Sequence, residues 1–81
     1  SLAEATEITG AIQIQGKWNV IVKEPGAATS RYVKAGDYLA NGQVLVKRII
    51  AGSGDPSVIL QQNGVEVMKS LGNSVGSLAK K

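Results

Sequence analysis

The chain has 81 residues, with nine basic and six acidic side chains for a net charge of +3, and it contains neither histidine nor cysteine. A chain of this length makes one domain, which buries only about 60–65% of the surface its unfolded form exposes. The missing residue types exclude disulfides, thiol chemistry and histidine acid–base catalysis, and no apolar run approaches the roughly 18 residues that a membrane-spanning helix needs.

Residues 1–7, "SLAEATE", read as a linker or a frayed helical turn at a flexible N-terminus, ahead of a single β-domain over 8–71. From "ITGAIQIQ" onward the hydrophobic period is two. Ile8, Ile12 and Ile14 are expected on one face with Gly10 in step, and Gln13 and Gln15 on the other, giving a strand with one wet side. Gly16 and Lys17 interrupt it as a tight connection. "KWNVIVK" follows, with Trp18, Val20 and Val22 alternating against Asn19, Ile21 and Lys23, and the two runs make a hairpin. Trp18 is read as a core residue on that alternation.

In "EPGAATS" the Pro25–Gly26 pair suits the two central positions of a type II turn. "RYVK" resumes the extended state, and "KAGD" turns again with Gly36 as the residue to take a positive φ. Asp37, just after it, is placed to accept backbone N–H bonds and lock the turn. Leu39 stands alone before Asn41–Gly42 and is expected to plug the core from an irregular segment. In "QVLVKRIIA" strict alternation from Val44 and Val46 would bury Arg48 and expose Ile49, so a β-bulge at Lys47–Arg48 is predicted. "GSGDP" is a loop. "SVILQQ", the turn Asn63–Gly64 and "VEVMKS" form a second hairpin, since Asn-Gly between alternating runs is the strongest short hairpin signal. The glycine- and serine-rich residues 72–81 read as a flexible tail. About six short strands with turn signals between them define an all-β fold, a small antiparallel β-sandwich or semi-closed barrel.

Sites for chemistry are sparse. Four carboxylates fall in the folded region, Glu24, Asp37, Asp55 and Glu66, each beside a turn or on an alternating strand where structural roles suffice. No positioned base accompanies them, so no enzymatic activity and no catalytic residue is expected. "GSGDPS" lacks the acidic spacing of a calcium loop and precedes no helix that could cradle a phosphate. No metal, cofactor or small-molecule ligand is therefore expected. The basic residues are scattered and only three aromatics are present, which disfavours nucleic acid as partner. The competing reading is a small basic SH3-like or oligonucleotide-binding barrel that meets single-stranded nucleic acid through Lys23, Arg31, Lys34 and Lys47. A sheet edge can instead recruit another protein's strand, and Ile12, Gln13, Ile14 and Gln15 are the candidate partner-binding segment.

"KWNVIV", "RYVKAGDYLANGQVLVKRI" and "SVILQQNGVEVMKSL" together resemble a small periplasmic β-domain common to two related families. These are the homology region of the type II secretion inner-membrane protein C and the PilP lipoprotein of type IV pilus assembly. The residues that carry the likeness are Tyr32, the run Lys34–Ala35–Gly36–Asp37, Leu39, Val44, Val46 and Ile49, then Val58, Leu60, Gly64, Glu66 and Val67. It spans residues 8–71 and departs at Ala35, where the families often have valine, and at "AGSGDPS", which replaces a shorter connection. The resemblance implies a non-catalytic scaffold in the periplasm, tethered to the inner membrane by a segment outside this chain. Its implied partner is the N-terminal domain of an outer-membrane secretin or an inner-membrane component of the machine. The contact carries over to Ile12 through Gln15 and nearby loops, while Gly36, Asp37, Asn63 and Gly64 are expected as structural turns on their own turn chemistry.

Overall fold

The computed structural model describes residues 1–52 and 54–71, so the tail expected at 72–81 lies outside the described residues. The chain reverses where backbone φ turns positive. Gln15–Gly16 and Asn63–Gly64 each carry two consecutive positive values, 53° and 81° in the first pair, 53° and 78° in the second. Two such residues in a row make the turn whose twist matches the strands on either side. The first pair joins β1 (Glu7–Ile14) to β2 (Lys17–Lys23), and the second joins β6 (Ser57–Gln62) to β7 (Val65–Ser70). The first connection thus sits one residue earlier than the expected Gly16–Lys17, and Gln15 belongs to the turn rather than the strand.

Pro25–Gly26 form the type II turn that their sequence calls for. The Ala27 N–H donates to the Glu24 carbonyl at 3.0 Å, and Gly26 has φ 79°. At "KAGD" the Asp37 N–H donates to the Lys34 carbonyl at 3.0 Å, and Gly36 takes φ 98°, a value that a side chain would disfavour. The Asp37 carboxylate accepts from the Lys34 N–H at 2.9 Å and so closes the turn from the other side. This reversal docks directly on the next strand, because Gly36 N–H donates to the Val46 carbonyl and Val46 N–H to the Asp37 carbonyl, both at 2.8 Å.

Two antiparallel sheets result, the first ordered β1-β2-β3 with β3 at Arg31–Val33. The second is ordered β4-β5-β6-β7, with β4 at Tyr38–Leu39 and β5 at Val44–Ile50. There are seven strands rather than about six. The additional one is β4, which pairs with β5 and carries Leu39, so Leu39 enters the core from a short strand and not from an irregular segment. Ile8, Val20, Val22 and Val33 of the first sheet meet Leu39, Val44, Val46, Val58 and Leu60 of the second in one buried cluster. Each of these aliphatic side chains contributes about 1.5–3 kcal/mol through its removal from water. The all-β sandwich anticipated from the alternation is the fold adopted.

The bulge expected in β5 is present. Its register against β6 shifts between Val46, which faces Leu60, and Arg48, which faces Ile59, leaving Lys47 as the extra residue. Ile49 then falls opposite Val58 and packs against the core.

Residues 1–7, read as a linker or a frayed turn, are tied down. Leu2–Ala5 form a helical turn, α1, capped reciprocally by Ser1 and Glu4. Ala3 and Thr6 are buried, the Ala3 N–H donates to Gln62 Oε1 at 2.9 Å, and Lys69 Nζ donates to the Glu4 carbonyl at 2.7 Å. Docking on β6 and β7 holds a segment of good helix formers that is too short to stay helical alone.

Candidate functional site

The candidate strand Ile12 to Gln15 forms the far half of β1, and the structure changes how it is presented. In β1 the register against β2 shifts between Ile8, opposite Val22, and Gly10, opposite Ile21. Thr9 is the extra residue of a second bulge, one the alternation did not suggest. Past it every side chain of β1 changes face. Ile8 points with Val22 into the core, whereas Gly10, Ile12 and Ile14 lie opposite Ile21, Asn19 and Lys17 on the outer face. The expected sharing of one face by Ile8, Ile12 and Ile14 is therefore overturned, and so is the placing of the glutamines on the outer side. Gln13 lies opposite Trp18, on the face that continues from Val20.

β3 pairs only with Val20, Ile21 and Val22, so the hairpin from Ile12 to Asn19 runs past the third strand with β2 and β1 alone. Its outer face carries Ile12 at 41% and Ile14 at 43% exposure. Half-buried Ile21 and exposed Tyr32, which lie opposite each other across β2 and β3, continue the apolar strip. Gly10 makes room for it, since the Ile21 Cδ1 atom lies 3.0 Å from where a Cβ on residue 10 would stand. An aliphatic ridge on a two-stranded projection loses more by facing water than by meeting another apolar surface.

The other side of the same hairpin leads into a cleft of about 390 Å³ lined by Lys17, Trp18, Lys34, Ala35, Arg48 and Ile49. Trp18 is partly exposed here and lies outside the buried cluster, so its expected place in the core is not the one it takes. Sequence reading missed this convergence because its members come from β2, the Gly36 turn and β5. The β5 bulge, which was visible in the sequence, is the one local signal near it.

The structural turns occupy other places. Gly36 and Asp37 brace β5, while Asn63 and Gly64 stand at the far end of the second hairpin, and the fold does not bring the two pairs into one site. Asp37 also pairs with Lys34, its Oδ1 atom 3.4 Å from Nζ. Glu24 joins the two sheets. Its Oε2 atom accepts from Arg31 Nη2 and from the Ala40 N–H, each at 3.0 Å, and Arg31 Nη2 also donates to the Tyr38 carbonyl at 2.9 Å. The Arg31 guanidinium and the Ala40 N–H hold the Glu24 carboxyl below its ordinary range. Glu66 is lowered likewise by Lys47, whose Nζ lies 2.6 Å from Oε2.

These pairs bear on the nucleic-acid reading. Of Lys23, Arg31, Lys34 and Lys47, the last three each hold a carboxylate within 4 Å, which breaks any continuous basic track. Among the described residues no three acidic side chains group together as a metal site would require. No helix among them is long and apolar enough to cross a membrane. Comparison with protein-family models, with curated proteins and with solved structures found no match for the chain.

Proposed function

We propose that this chain is a non-catalytic docking domain of an envelope-spanning machine of the type IV pilus or type II secretion kind. It works in the periplasm on an inner-membrane tether and binds another protein, the N-terminal domain of a secretin or an inner-membrane component. The observation that carries this reading is the projecting β1–β2 hairpin with Ile12 and Ile14 on its outer face, continued by Ile21 and Tyr32. Lone exposed aliphatic residues are ordinary on any surface, but a row of them on an extension that the core does not need is suited to a partner. Four side chains make a small contact surface, so a transient association is expected.

Titration of the chain with purified secretin N-terminal domains, followed by NMR, tests the proposal. Saturable shifts centred on residues 10–21, lost in Ile12→Ser and Ile14→Ser variants that keep the fold, are the expected result. Absence of binding to every secretin and inner-membrane candidate, or binding that both variants retain, would remove the proposal and leave the architecture untouched.

A further inference from the structure

We propose that the Trp18 cleft is an acidic-peptide site, which takes a carboxylate side chain from the segment of the partner that lies over the isoleucine face. This rests on the docking role proposed above and names the chemistry of what docks. Three cations converge on the cleft, Lys17, Lys34 and Arg48, and no carboxylate is among its lining residues. Lys34 has Asp37 as a counter-charge, whereas Lys17 and Arg48 form no ion pair among the described residues. Like charges gathered at one opening raise the energy of the free protein, and a bound anion relieves that repulsion.

Trp18 and Ile49 add apolar surface to the same lining. That combination suits a side chain with a short aliphatic stem and a charged end, as in glutamate or aspartate. The volume of about 390 Å³ admits one or two side chains. Lys17 ties the cleft to the docking face, because it lies directly opposite Ile14 across the hairpin. A partner strand whose apolar residues cover Ile12 and Ile14 can therefore place a neighbouring carboxylate beside Lys17 and Arg48.

Nucleic acid fits less well. Stacking of successive bases needs several aromatic platforms, and the other two aromatics, Tyr32 and Tyr38, lie outside the cleft.

Trp18 is the only tryptophan in the chain, so its fluorescence reports on the cleft alone. The chain is titrated with a short capped peptide of alternating glutamate and leucine, with the same peptide carrying glutamine, and with an oligothymidylate. The expected result is a saturable change with the glutamate peptide only, weakened about fivefold by Lys17→Gln or Arg48→Gln and by added salt. An equal response to both peptides, no response to either, or a stronger response to the oligothymidylate overturns the proposal. The two readings fail separately: secretin-domain binding without any glutamate-peptide response overturns the cleft and spares the docking role, whereas a glutamate-peptide response without binding of any secretin or inner-membrane domain overturns the docking role.

Discussion

Replacing Glu24 probes the contact that joins the two sheets. Its carboxylate is only 21% exposed and satisfies the Ala40 N–H from the second sheet as well as Arg31 of the first. In Glu24→Ala the part-buried Ala40 N–H loses its partner, at a cost of about 1–3 kcal/mol. The half-exposed Arg31 returns to water and adds at most about 1 kcal/mol. Ala40 is held at φ 55°, a left-handed conformation that alanine disfavours although Asn41 beside it, at φ 56°, tolerates it, so the bond also restrains a strained residue. A total near 2 kcal/mol corresponds to a fall in Tm of about 10 °C for a domain of this size. Glu24→Gln keeps an acceptor for Ala40 and loses only the charge, so about half that effect is expected. Thermal unfolding followed by circular dichroism and Trp18 fluorescence measures both. The pH dependence has a definite sign. Because the Glu24 carboxyl lies below its ordinary value of 4.5 in the folded chain, its contribution is complete above that value and is lost as pH falls through the lower folded one. The gap between wild type and Glu24→Gln should therefore close on acidification. A Glu24→Ala shift under about 3 °C, or equal losses in the two variants, would refute this account of how the sheets are joined.

Leu39→Ala should cost about 3 kcal/mol by urea titration, since the side chain is fully buried on a strand too short to hold itself in place. Gly36→Ala should cost about 1–2 kcal/mol although nothing lies within 4 Å of the added methyl, because φ 98° alone opposes it. Gly10→Ala should cost less than Gly36→Ala, since its close neighbour at 3.0 Å is the flexible end of Ile21; the reverse order would contradict this reading of the two glycines. Deleting Lys47 should leave a folded chain, because the pairs Val46–Leu60 and Arg48–Ile59 then follow in unbroken alternation. Amide spectra that show Ile49 displaced from its place against the core would count against that prediction.

Features fixed within a few residues were legible in the sequence. Pro25–Gly26, Gly36 with Asp37, and Asn63–Gly64 each announce a reversal, because the need for a positive φ or a capping carboxylate is local. The β5 bulge was legible too, since without it an arginine would displace an isoleucine from the core. The β1 bulge had a fainter signal. A two-residue turn sets odd-numbered residues opposite even-numbered ones, so Ile12 and Ile14 cannot share a face with Trp18, Val20 and Val22. Ile8 joins that face only through an extra residue at Thr9.

The sequence by itself determined an all-β chain, where it turns, and which valines and leucines must be covered. Tertiary structure alone decided which isoleucines stay outside, that residues 1–7 dock on β6 and β7, and that Lys17, Lys34 and Arg48 gather around Trp18. The reason is physical. Alternation fixes which residues share a face only as far as the next bulge, which face turns inward is settled by the opposing sheet, and charges far apart in the chain meet only once both sheets have closed.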